Sequence, residues 1–181
     1  MKTFKEYLHS VDACKPAIDW AGDKPVEQVV AECHRGDWLL WLAKKCGVEL
    51  QPLTLAKGHC ANTVRHLMSD ERSLIAVDVA IAFGEGKATR QELDAAADAA
   101  DAADAAACVA GYAASAASAA YAAYADDAAA YVGSVVAYAA YAAYATAYAA
   151  ASAANQQKTA DICRKYIGDL IIEKVNQTLN Q

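Results

Sequence analysis

Along the first 88 residues, apolar positions recur at three- and four-residue steps in short runs, each bounded by a capping or breaking residue. Thr3-Phe4-Lys5-Glu6 has the form of a capping box, with Thr at the N-cap and Glu three residues on. Asp12 is expected to cap a second helix through Trp20, with Gly22 as its stop. Pro25 predicts the first turn of a helix through Val29, Val30 and Cys33, broken by Gly36. Asp37 is expected to cap Trp38–Cys46, with Gly47 just beyond and Lys44 and Lys45 in the last turn, where the helix dipole favours cations. Pro52 starts a helix toward Met68, and Asp70 starts another through Leu74, Val77 and Ile81 to Gly84. No stretch alternates polar and apolar residues between turn dipeptides, so no sheet is expected.

The pattern changes after Thr89-Arg90-Gln91-Glu92, a second capping box. Asp94, Asp98, Asp101 and Asp104 punctuate an alanine run, and then Tyr112, Tyr121, Tyr124, Tyr131, Tyr138, Tyr141, Tyr144 and Tyr148 take over. One unbroken helix from Thr89 to Ala154 would be roughly 100 Å long. A break is therefore expected near Ser115–Ser118, Asp126–Asp127 or Gly133. From Lys158 to Gln181, Ile162, Tyr166, Leu170, Ile171 and Val175 recur at helical spacing among charged residues. The expected architecture is all-α, one domain over 1–181. In it, short helices (1–88) pack on a long Ala/Tyr-rich helical hairpin (89–157), and a C-terminal helix (158–181) closes the bundle.

Composition agrees with helix. Hydrophobic residues make up 56% of the 181 residues, yet Phe contributes only 2 and Met only 2. Alanine carries the excess, and it loses no side-chain entropy in a helix. The net charge of −6 is uneven. From Gln91 to Gln157 there is no Lys or Arg, but there are seven acids. Such an arm repels nucleic acid, whose binding depends on phosphate neutralisation, and suits a basic protein or solvent. The charge-free run Ala128–Ala154 has the length of a membrane span, but it is built of Ala, Tyr, Ser and Gly without Leu, Ile or Phe, so no membrane insertion is expected. The opening MKTFKEYLHS has no apolar signal core. A cytoplasmic location is expected, with the six cysteines reduced and used as small hydrophobes.

The sequence carries few motifs of recognisable chemistry. No Walker loop, H-E-x-x-H or G-x-S-x-G is present. The neighbours Cys33-His34 and His59-Cys60 diverge around a helix and chelate one metal poorly. The Asp94–Asp104 acids lack a histidine partner. No enzyme activity, metal or cofactor is expected. The densest signal is Cys33-His34-Arg35-Gly36-Asp37-Trp38-Leu39-Leu40-Trp41. It allows a structural reading, with Asp37 as a cap and the tryptophans as core, and a recognition reading, since Trp and Arg are favoured interface anchors. In a divided version, Trp38 and Trp41 are buried and Arg35 faces outward.

That block, with Asp12-Ala13-Cys14 and Trp20 before it and Ala160-Asp161-Ile162-Cys163-Arg164-Lys165-Tyr166-Ile167 after the alanine arm, resembles a family of bacterial and phage proteins labelled as immunity proteins. The resemblance spans nearly the whole chain and implies a helical cytosolic protein from a toxin-immunity or phage–host conflict. The expected function is binding, by which a toxin or defence effector is neutralised through occlusion. Trp20, Arg35, Asp37, Trp38, Trp41 and Arg164 are the expected partner-binding residues. A second reading is a sponge for a nucleotide signal, with Arg35, Arg65, Arg72 and Arg164 holding phosphate and Trp or Tyr stacking the base. A third is a structural oligomer built through alanine faces. A homodimer is expected from the amount of weakly apolar surface.

Overall fold

The computed structural model describes residues 2–68, 70–110 and 150–181, and among them the chain is all-α, without a strand. The helices are α1 (Phe4–Ser10), α2 (Lys15–Ala21), α3 (Val26–Glu32), α4 (Gly36–Lys45), α5 (Leu50–Asn62), α6 (Glu71–Gly84), α7 (Arg90–Ala110), α8 (Ala150–Cys163) and α9 (Asp169–Leu179). A 3₁₀ turn at Arg65–Leu67 follows α5, and a π turn at Arg164–Gly168 joins α8 to α9. The expected break in the alanine arm, the tyrosine series and the hairpin they imply lie outside the described residues. So does the part of the charge-free run up to residue 149. Among the described residues no helix is long and apolar enough to cross a membrane.

The helix starts are set mainly by local chemistry. At α1, the Thr3 hydroxyl accepts from Glu6 N at 3.2 Å, and Glu6 accepts from Thr3 N at 2.7 Å. Thr89 and Glu92 repeat this exchange ahead of α7. Asp70 caps α6 by accepting from Arg72 N at 2.8 Å. Three expectations shift. Cys14, not Asp12, is the N-cap of α2, because Asp12 takes a left-handed turn at φ 59°. Pro25 stands at the N-cap of α3 rather than inside its first turn. Asp37 does not cap α4: the helix begins at Gly36, and Asp37 in its first turn is held by Arg35 instead.

The chain forms two compact units, Met1–Glu49 with Gln156–Gln181, and Leu50–Asn155. In the first, α9 packs mainly on α3, with further contacts to α1 and α4. Its core includes Phe4, Leu8, Val26, Val30, Leu39 and Leu42, closed by the stripe Ala160, Cys163, Ile167, Ile171 and Val175. Ile171 and Val175 are buried as expected, while Cys163 and Ile167 stand one residue beyond the expected Ile162 and Tyr166. Ile162, Tyr166 and Leu170 are only half-buried. Ala160 and Cys163 take inner positions on α8 where the backbones approach closely: a Cβ added to Gly36 would lie 2.7 Å from the Thr159 carbonyl carbon.

In the second unit, α5 and α6 run antiparallel through glycine contacts. A Cβ on Gly84 would come within 2.6 Å of Leu55 Cα, and one on Gly58 within 2.9 Å of Ile81. α7 returns along α6 through Ala76 against Ala96 and Ala100, and Ala80 against Leu93 and Ala97. Alanine on both sides permits a close approach of the two helices. By sequence the first unit holds eleven bases and eleven acids, so the −6 of the chain falls on the second.

Candidate functional site

The chain between α3 and α4 is a three-residue extended link, Cys33-His34-Arg35. Such a link exposes carbonyls that need donors. Four carbonyls in and around it receive donors from within the unit. Arg164 donates to the Cys33 carbonyl at 2.6 Å and reaches the Val30 carbonyl at 3.4 Å. A guanidinium at the carboxyl end of α3 also complements its dipole. The Cys33 thiol donates to the Arg35 carbonyl at 3.4 Å, and the Cys163 thiol to the Gly36 carbonyl at 3.6 Å. Burial pushes the Cys33 thiol up, which keeps its proton available for this bond. The two buried cysteines near the link thus act as backbone donors as well as small hydrophobes.

The link presents an aromatic cluster. Trp20 from α2 and Trp38 from α4 meet at 6.1 Å between ring centroids, tilted by 58°. His34 stands edge-on to Trp20 at 5.9 Å and 75°, and lies 6.5 Å from Trp38. Each indole carries a cation on its face. Lys24 Nζ is 4.2 Å from the Trp20 ring, and the Arg35 guanidinium is 4.8 Å from the Trp38 ring. Each cation is held in turn by a carboxylate. Lys24 pairs with Glu32 at 3.1 Å. Arg35 grips Asp37 with two bonds, Nε at 2.8 Å and a terminal nitrogen at 2.5 Å. The order through the cluster is Glu32, Lys24, Trp20, Trp38, Arg35, Asp37, with His34 against both rings.

The electrostatics follow from these pairs. Hydrogen bonds from Gln28 and then Lys24 hold the Glu32 carboxyl below its ordinary range. The hydrogen bonds to Asp37 raise the Arg35 guanidinium still further. Exposed cation–π contacts and surface ion pairs are each worth about 1 kcal/mol or less. Together they hold the Lys24 and Arg35 side chains against the indoles.

The expected site residues divide three ways. Trp20, Arg35, Asp37 and Trp38 come together. Trp41 lies one turn along α4, with Lys45 5.7 Å over its ring, and no ring contact among the described residues joins it to the cluster. Arg164 is spent on the α3 carbonyls and on Asp161. Neither Trp38 nor Trp41 is buried as expected; both are half-exposed, and the core side of α4 is Leu39, Leu42 and Ala43. Trp38 and Trp41 share a face, but the face belongs to the rim. His34 and Lys24 are members that sequence reading missed as site residues. Their signal was there: His34 lies inside the Cys33–Trp41 block, and Lys24 follows Trp20 by four residues.

The nucleotide arrangement finds a specific obstacle. Two indoles in tilted contact leave no parallel gap for a base, and their faces already carry Lys24 and Arg35. Arg65 is committed to Asp78 by two bonds and Arg72 to Asp70, both in the second unit. Among the described residues no group of three or more His, Cys, Asp or Glu is placed to hold a metal ion. No family model, no curated protein and no solved structure matches this chain.

Proposed function

We propose that this chain is a non-enzymatic binding protein that acts by occluding a protein effector, in the manner of an immunity or anti-defence protein. The observation that carries the reading is the Trp20–His34–Trp38 cluster: half-exposed indoles, each stacked by a cation that is itself fixed by a carboxylate. Aromatic and arginine anchors dominate interface energetics, and anchors already held in place lose less entropy on binding. The contact surface comprises Trp20, Lys24, His34, Arg35, Asp37 and Trp38, with Trp41 at its edge. The chain is proposed to work in the cytoplasm as a homodimer, which sedimentation at tens of micromolar would contradict by giving a monomer mass.

The test is capture by the immobilised protein from the lysate of the cell that encodes it, with mass spectrometry of proteins and small molecules. The reading expects one enriched protein, released by soluble competitor. A bound nucleotide with no bound protein would contradict it.

A further inference from the structure

We propose that the partner of this surface presents an acidic protein segment, one carboxylate of which docks on Lys45 beside Trp41 toward the end of α4. The proposal rests on the cluster being the contact surface, and adds the chemistry of what that surface receives.

All three tryptophans of the chain carry a cation over the ring. Two of these pairs are completed by a carboxylate: Glu32 on Lys24 over Trp20, and Asp37 on Arg35 over Trp38. The third pair lacks one. Lys45 Nζ lies 5.7 Å from the Trp41 ring, the longest of the three contacts, and among the described residues no carboxylate pairs with it or with its neighbour Lys44. Asp37, one turn before Trp41, is held by Arg35 through two bonds. Glu49, four residues past Lys45, makes no ion pair with it among the described residues. Helix capping does not use these lysines either. The last carbonyls of α4 are met by backbone amides: Leu42 by Cys46 N at 2.9 Å, Ala43 by Val48 N at 2.9 Å and Lys44 by Gly47 N at 3.2 Å. Both lysines are exposed. At about 100° per residue, Trp38, Trp41 and Lys45 fall within about 60° of one another, with Lys44 at the margin. The strip thus continues the Trp20–Trp38 contact along α4. Lys165, on the π turn packed against α4, repeats the arrangement 4.8 Å over Tyr166, again without a carboxylate. The surface begins in two neutral triads and ends in uncompensated positive charge. A carboxylate brought to Lys45 completes a third triad, and charge matching of this kind sets partner choice and register. A nucleic-acid strand would bring phosphate but also bases, and the tilted Trp20–Trp38 pair leaves no parallel gap to stack them.

The probe is poly-L-glutamate, so the outcome does not depend on capturing the natural partner, and a failure here is separate from a failure of the binding reading, which the captured partner's affinity for Arg35→Ala decides. The three indole N–H signals of the full chain, assigned through Trp20→Phe, Trp38→Phe and Trp41→Phe, are followed by NMR. Poly-L-glutamate should move the Trp41 signal most and the Trp20 signal least, and added salt should reverse the shift. Lys45→Gln should weaken the apparent affinity about 3-fold and Lys44→Gln/Lys45→Gln about 10-fold, the scale of one and two exposed ion pairs. Lys45→Arg should bind as wild type, and so should Lys87→Gln, a charge-matched change in the second unit. Unchanged affinity in the double variant, a largest shift at Trp20, or tighter binding of a single-stranded oligodeoxynucleotide than of poly-L-glutamate of equal charge would overturn the proposal.

Discussion

The Arg164 guanidinium donates to the Cys33 carbonyl at 2.6 Å, across 131 residues of sequence. One side chain thereby closes the carboxyl end of α3 and fixes the link that carries His34 and Arg35. Arg164→Ala would leave the Cys33 carbonyl without this donor at a part-buried site. It should lower stability by about 1–3 kcal/mol, with Arg164→Lys recovering part of the loss. Denaturant unfolding of the two variants checks this. Equal stability of Arg164→Ala and wild type would remove Arg164 from the support of the link.

The burial pattern on α4 separates core from rim. Leu39 is 1% exposed, so Leu39→Ala should cost about 2–5 kcal/mol through lost transfer energy and a cavity. Trp38→Ala and Trp41→Ala remove half-exposed rings and should each cost less than Leu39→Ala. Thermal melts of the three variants side by side give the order directly.

Thr54 presents the opposite case. Its side chain is fully buried on α5, and among the described residues its hydroxyl has no hydrogen-bond partner. Burying an unsatisfied hydroxyl is costly, and valine has nearly the same shape. Thr54→Val should leave stability unchanged or raise it by about 1 kcal/mol, measured by chemical unfolding. A clear loss would mean that the hydroxyl finds a donor or acceptor in solution.

Stability should fall at both ends of the pH scale, for opposite reasons. Hydrogen bonds lower the Glu6, Asp70, Glu92 and Asp161 carboxyls below their ordinary values of 3.8 to 4.5. A depressed acid contributes stability that is complete above the ordinary value and lost as pH falls through the folded one. Burial raises Tyr7 from 10.0 to about 12 and Cys46 from 9.0 to about 11. A raised acid contributes stability that is complete below the ordinary value and lost as pH climbs toward the folded one. Urea unfolding should therefore show a plateau from roughly pH 5 to 8, with losses below pH 4 and above pH 9. Stability still rising above pH 10 would contradict the burial of Tyr7 and Cys46.

The legible parts of this fold are the ones written in local chemistry. Thr3-Glu6, Thr89-Glu92 and Asp70 announce their helices because the capping residues bond to amides within three residues. Gly47 adopts φ 79° just past α4, as a residue beyond a helix end often must. Asp37 was misleading because a neighbouring Arg35 competes for its carboxylate and wins with two charged bonds. Ile171 and Val175 on α9 were legible from helical spacing, but the inner position on α8 was displaced because close backbone approach at Gly36 and Thr159 favours Cys163 over Ile162. At the site, Trp20 and Trp38 were visible as residue types, but their contact is tertiary and has no local signature. The commitment of Arg164 to a carbonyl 131 residues away is likewise a property of packing alone.

The Trp20–His34–Trp38 cluster, with its stacked cations, is the proposed meeting point of this protein and its partner. Affinity of the captured partner for wild type, Arg35→Ala, Lys24→Ala and a Lys87→Ala control tests it most directly, with melting temperatures measured on the same samples. Lys87 belongs to the second unit and pairs with Glu85. Arg35→Ala should weaken binding by about 30-fold or more, the scale of an interface anchor, with little change in melting temperature. Lys24→Ala should weaken it less, and Lys87→Ala should bind as wild type. Wild-type affinity in both Arg35→Ala and Lys24→Ala, with the fold intact, would contradict the claim.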